Sequence, residues 1–253
     1  MNDPSLTDGR AQVTPLHPGA GETLTEAAYR SLRNDLVRGR HAPGERLRIE
    51  RLRRLYDVGP TPLREALQRL SAEGLVRADG NRGFTASPLD LADFDDLNTA
   101  RSAVEREALR LAIARGDELW EAQVVSAAYL IGKADRAIAS ERTVQPEGVA
   151  QPDGTADGLL DHWEAANAAF HRATVAACGS NWLLRIREGL HTQCERYRRA
   201  SIYRRRGKRD LAAEHQEIAA AVLERDADLA CTLVTAHFAA TAGDLALELG
   251  KAQ

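Results

Sequence analysis

Three histidines, His171, His215 and His237, fall on three separate helix-forming stretches, and two of them are symmetric about a helix-helix turn. His215 lies 11 residues before Asp226 and His237 lies 11 after it. An antiparallel hairpin turning at Asp226 therefore sets the two imidazoles level, each roughly 16 Å along its helix from the turn. Asn167 precedes His171 by one helical turn and shares its face. Three neutral imidazoles with an amide oxygen form a donor set for a divalent metal ion such as Zn, Ni, Mn or Fe. His162 and His191 lack this spacing and read as surface residues.

A different chemistry marks the other end of the chain. Residues 21–88 carry 13 Arg against 9 acidic residues, a net of +4, whereas residues 89–253 carry 20 basic and 26 acidic residues, a net of −6. A basic module joined to an acidic one suits a protein that places one end on phosphates and keeps the other away from them. Thr61, Arg64, Gln68 and Arg69 lie opposite the apolar stripe of Leu63, Ala66, Leu67 and Leu70. On a helix, that exposed row reaches phosphates and base edges from a major groove.

The elements that position these residues follow from periodicity. Leu24, Ala28, Leu32 and Leu36 repeat every four residues behind a Thr23 cap; Ile49, Leu52, Leu55 and Tyr56 mark a short second helix ending at Asp57. The third helix is read with Thr61 as its cap and Pro62 at its first position, closing at Gly74. Leu75-Val76 and Phe84-Thr85-Ala86, separated by the Asp79-Gly-Asn81 turn, read as a hairpin with Arg82 at its tip. Three helices and a hairpin make a winged helix-turn-helix.

From Leu89 onward, helix formers run through about 116, 117–139, 159–178, 181–199, 210–225 and 227–249, with no strand pattern. The expected fold class is mainly α: an N-terminal winged helix-turn-helix at 21–88 and a C-terminal all-α helical bundle at 89–253. Residues 1–20 read as a disordered tail, and residues 140–158, rich in Pro and Gly, as a flexible loop. The Arg196–Arg209 basic run reads as a solvated helix end. The 253 residues include no apolar run long enough for a bilayer and three widely spaced cysteines, so a cytoplasmic protein without membrane partners is expected.

Thr61-Pro-Leu-Arg-Glu-Ala-Leu67, Leu70 and Glu73-Gly-Leu-Val76 resemble the signature of the GntR family of bacterial transcription regulators. The resemblance implies that Thr61, Arg64 and the wing at Arg82-Gly83 contact double-stranded operator DNA. Gly59 and Pro60 stand where the family usually has Ser and Arg. That loses one cation, which Arg48, Arg51, Arg53 and Arg54 offset electrostatically.

Arg101-Ser-Ala-Val-Glu105, Asn167-Ala-Ala-Phe-His171 with Gly179-Ser-Asn181, Glu214-His215 and His237 resemble the FadR-type C-terminal (FCD) domain. The resemblance implies metal ligation by Asn167, His171, His215 and His237, with Asn167 where Asp is more common. Arg101 and Glu105 are expected to line the same effector site, either as an i, i+4 ion pair or with Arg101 gripping a carboxylate of a small organic acid. The function implied is a homodimeric, ligand-responsive repressor with no catalytic residues. Two competing readings are a metal-dependent hydrolase with Glu105 or Glu214 as base, and a metal-free regulator of acyl ligands.

Overall fold

The computed structural model describes residues 13, 16–80, 83–144, 155–202 and 209–249. The chain divides into two compact units, Met1–Leu89 and Asp90–Gln253.

In the first unit, α1 (Leu24–Val37) begins with a capping box: the Thr23 side chain accepts from the Glu26 amide, and the Glu26 carboxylate reaches back to the Thr23 amide. Helix α2 (Ile49–Tyr56) stops at Asp57, whose left-handed φ of 49° ends the helical run. Helix α3 (Pro60–Ala72) starts earlier than its sequence indicated. Gly59 is the cap and Pro60 the first helical residue, so Thr61 is inside the helix and caps nothing. Both Pro60 and Pro62 satisfy the rule that a first-turn residue needs no amide proton, and the helix takes the earlier one.

Strands β2 (Val76–Ala78) and β3 (Phe84–Ala86) pair antiparallel with Arg77 opposite Thr85, forming the expected wing. A third strand, β1 (Arg46–Leu47), adds to the other side of β3, with Leu47 opposite Phe84. Two residues are too few to show a period-2 pattern. The core joins Leu32 and Leu36 of α1 to Leu52, Leu63, Leu67 and Leu70, with Val13 and Leu16 packed against it.

A polar chain is buried in this small unit. Tyr56 donates its hydroxyl proton to Asp35 at 2.6 Å, so its oxygen accepts from His41 Nε2 at 2.9 Å. Asp35 also meets Arg40 at 2.9 Å. Burial, partly offset by Glu45 and Asp35, holds the His41 pKa below its ordinary value. Tyr56→Phe removes one hydrogen bond from each of two buried partners, Asp35 and His41, and is expected to cost about 1–3 kcal/mol, read as a lower urea midpoint with an unchanged slope.

The second unit is helical throughout its described residues: α4 (Leu91–Arg115), α5 (Glu118–Val144), α6 (Thr155–Val175), a 3-10 turn (Ala176–Cys178), α7 (Asn181–Ile202), α8 (Leu211–Leu223) and α9 (Ala227–Leu249). Helix α4 packs on α7 and α9, and α5 packs on α6 and α8. Leu109, Val124, Ile131, Phe170, Ile218 and Phe238 belong to its apolar core. The turn between α8 and α9 falls where the histidine symmetry required it, with the Asp226 carboxylate accepting from the Leu229 amide.

Within the segment 140–158 read as a flexible loop, residues 140–144 and 155–158 are helical. Helix α5 continues to Val144 and α6 begins at Thr155, while residues 145–154 lie outside the described residues. The described part of the basic run is also not a solvated end. Arg196 and Arg198 are buried, and Arg199 bridges Glu195 and Asp161; Arg204–Arg206 and Lys208 lie outside the described residues. Cys178, Cys194 and Cys231 are buried and form no disulfide. Among the described residues no helix is long and apolar enough to cross a membrane.

Candidate functional site

Helices α6, α8 and α9 bring His171, His215 and His237 together. Ring centroids lie 5.7 Å apart for His171–His215, 5.3 Å for His171–His237 and 4.8 Å for His215–His237. Each offers a ring nitrogen within 4.8 Å of those of the other two, and all three rings are buried. Phe170 lies 5.2 Å from His171 and 5.1 Å from His215, while Phe238 lies 5.4 Å from His171, so apolar faces screen the group from water.

The hydrogen bonds fix which nitrogen each ring presents. His215 Nδ1 lies 2.8 Å from Asp135 Oδ2, and His237 Nδ1 lies 2.7 Å from Glu214 Oε2. A carboxylate only accepts, so the shorter bonds place the proton on Nδ1 of both rings and leave the lone pair on Nε2; Arg209 Nη2, 3.2 Å from His237 Nδ1, is then a contact and not a donor to that nitrogen. His215 Nε2 and both nitrogens of His171 are buried without a hydrogen-bond partner among the described residues. Asn167, one turn before His171, is buried with its Nδ2 unpartnered.

Electrostatics favour neutral rings at His171 and His237. Burial first, then His237, Arg101 and His215, holds the His171 pKa well below its ordinary value. Burial lowers that of His237 to about 3 despite the opposing Glu214. Glu214 itself is raised by burial, but the hydrogen bonds from His237 and Arg209 outweigh this and bring it to about 2. Neutral imidazoles backed at Nδ1 by carboxylates are the donor chemistry of first-row divalent cations, and the residues present fit such an ion.

Arg101 and Glu105 do not pair with each other. Glu105 is held by Arg187 of α7 at 2.8 Å, with His171 Nδ1 3.9 Å from its Oε1. The Arg101 guanidinium instead lies 3.5 Å above the Phe238 ring, buried, with Nε unpartnered among the described residues. Phe238 thus has Arg101 over its ring and the His171 and His237 rings 5.4 and 5.8 Å from it.

His191, read as a surface residue, is buried, with Nε2 3.3 Å from Arg198 Nη2. Arg198 in turn grips Glu164 at 2.8 Å. His162 is exposed, as its spacing indicated. Sequence reasoning missed Asp135, Glu164 and Arg187. Nothing local marks them, because each meets its partner across 80, 34 and 82 residues, respectively.

In the first unit, Thr61, Arg64 and Gln68 occupy one exposed face of α3, while Arg69 lies with its guanidinium 4.0 Å above the Tyr29 ring. Arg48 and Arg51 are exposed at the start of α2, with Arg51 2.6 Å from Glu45. Gly83 closes the wing turn with φ of +95°, a conformation L side chains rarely adopt. Arg82 lies outside the described residues.

Residues 24–85 match the family described as bacterial regulatory proteins, gntR family, and residues 96–240 match the FCD domain. The chain is a GntR-family transcription regulator with an FCD domain. It is 37% identical to the HTH-type transcriptional regulator BphR of Paraburkholderia xenovorans (strain LB400), an alignment spanning 90% of this chain and 87% of that protein. It is also 37% identical to the HTH-type transcriptional repressor GlaR of Escherichia coli (strain K12), over 83% of this chain and 90% of the relative.

Among solved structures, E. coli McbR/YncC shares the fold at a TM-score of 0.67 and 18% identity, covering 90% of this chain and 99% of that one. A GntR transcriptional regulator from Rhodococcus sp. RHA1 does so at 0.64 and 21%, covering 87% and 96%. The family is one of bacterial regulatory proteins and both relatives are HTH-type transcriptional regulators, so the chain is a regulator and not an enzyme, and the histidine group lies within its FCD domain.

Proposed function

We propose that this regulator is a repressor whose operator affinity is controlled by a small organic acid held on a divalent metal ion in the FCD domain. Asn167, His171, His215 and His237 would hold the metal, which supplies a Lewis-acidic anchor for the acid's oxygens. The observation that carries the reading is the convergence of buried, unpartnered imidazole nitrogens beside a buried guanidinium that forms no ion pair among the described residues. Such a guanidinium favours an anion and takes a carboxylate by two parallel hydrogen bonds. Glu105, engaged by Arg187, acts on the effector only through the wall of the site. The repressor assignment is supported by the designation of GlaR.

On DNA, a homodimer would present two α3 helices to a two-fold operator, because one small module rarely supplies enough specificity. Thr61, Arg64 and Gln68 would enter the major groove, with Arg48 and Arg51 on phosphates and the Arg82-Gly83 wing alongside. The effector shifts operator affinity by its own difference in affinity between the DNA-competent state and the other.

The test is a gel shift on the protein's upstream region, run with acids selected by thermal shift with and without chelator. An acid that stabilises the protein only when metal is present and releases the duplex supports the reading. Stabilisation by acyl ligands that is indifferent to chelator would replace it with the metal-free alternative. Arg64→Ala is expected to weaken operator binding by about 1–3 kcal/mol and, if the side chain contacts phosphate, to lower the salt slope by about one.

A further inference from the structure

Asp135 stands apart from the other buried carboxylates of the helical unit. Glu105 is neutralised by Arg187, Glu164 by Arg198, and the part-buried Glu214 by Arg209. Asp135 is 3% exposed and has two polar side-chain partners among the described residues: Trp163 Nε1, which donates to Oδ1 at 2.8 Å, and His215 Nδ1, which lies 2.8 Å from Oδ2. No Lys or Arg meets it among the described residues. A buried, uncompensated carboxylate costs several kcal/mol, so a positive charge should face it. The route open to such a charge is the imidazole it holds, whose Nε2 points away from Asp135 into the histidine group without a partner.

The histidine group has the opposite imbalance. Its donors are three imidazoles and an amide, all neutral, and no carboxylate belongs to the cluster. A divalent ion there would keep its full charge in an apolar surround of Phe170 and Phe238. We propose that Asp135 is the positioning residue that supplies the anionic charge of this metal centre through His215 and locks that ring into its Nε2-presenting form. The inference rests on the metal reading of the preceding section. Glu214 bonds to His237 in the same way, but its charge is spent on Arg209, so the two carboxylates should be unequal.

Asp135→Asn tests this, because the shape is kept and the charge is removed. The amide places either a neutral oxygen or an N–H against His215 Nδ1; the second choice forces the ring proton onto Nε2 and removes the lone pair. Zn affinity of the full-length protein, measured by competition with a chromogenic chelator, is expected to fall 10–100-fold. Glu214→Gln should cost less than Asp135→Asn. Asn167→Asp in the Asp135→Asn background should recover affinity by returning the charge within the ligand set.

Melting in chelator separates positioning from scaffold. Under the proposal the stabilisation that added Zn gives shrinks in Asp135→Asn, whereas a purely structural role lowers both melts equally and leaves that increment intact. Wild-type Zn affinity in Asp135→Asn, together with lost affinity in His215→Ala, would overturn the proposal and leave the metal reading standing. Absence of stoichiometric binding by the unmodified protein would overturn both.

Discussion

Replacing His171 with alanine is expected to weaken metal binding by on the order of a hundredfold, so that concentrations that saturate the unmodified protein no longer saturate the variant. The ring sits among His215, His237, Phe170 and Phe238, and neither of its nitrogens has a hydrogen-bond partner among the described residues. No neighbour relies on it for a hydrogen bond, so its removal acts on the site before it acts on the fold. Structural zinc sites gain roughly 10–16 kcal/mol over four ligands, which puts one ligand near 3 kcal/mol, on the order of a hundredfold in Kd.

The loss should be visible as a missing thermal shift. A ligand present at a hundred times its Kd stabilises the folded state by about 2.7 kcal/mol, and a hundredfold weaker site forfeits most of that. In chelator the comparison changes character. The variant loses packing around a small void but also sheds a polar ring buried without hydrogen bonds, and these opposing costs are each about 1–3 kcal/mol. The two proteins should therefore melt close together without metal and far apart with it. Equal metal-dependent shifts, read with elemental analysis after gel filtration, would remove His171 from the ligand set.

What the sequence disclosed about this site was what helix geometry makes local. The level placement of His215 and His237 needs only the rise per residue and one turn, and the partnership of Asn167 with His171 needs only the four-residue repeat. The meetings of Asp135 with His215 and of Glu105 with Arg187 span 80 and 82 residues, and depend on how α4, α5, α7 and α8 are rotated about their axes. Helices α4 and α9 have no single apolar stripe to set that rotation, because their inner faces carry polar groups such as Arg101, Glu105 and His237.

The same cause explains the misread basic run. Charges in sequence normally mark solvated surface, yet Arg198 is drawn inside by Glu164 of a different helix. In the small unit, motif and periodicity captured the helices and hairpin. They failed at β1, too short for any period, and at Thr61, where two prolines offered the same starting signal.

Arg198→Ala is expected to destabilise the helical unit by about 3–5 kcal/mol, the cost of stranding one member of a buried ion pair. Arg198 donates Nη2 to Glu164 at 2.8 Å and Nε at 3.2 Å, and both residues are almost fully buried. Burial already raises the Glu164 pKa above its ordinary value even though Arg198 opposes it. Without the guanidinium it rises further.

The sign of the pH dependence follows. A carboxyl whose folded pKa exceeds its unfolded one binds more protons when folded, so stability falls as pH climbs from the unfolded pKa to the folded one, by up to about 1.4 kcal/mol per unit. The variant should therefore be weakest near neutrality and recover towards pH 5, the reverse of ordinary acid denaturation. Arg198→Met combined with Glu164→Gln removes both charges and should regain most of the lost stability. A single variant whose deficit is flat from pH 5 to 8 would mean that Glu164 finds another cation, and the pair could not then be the clamp between α6 and α7.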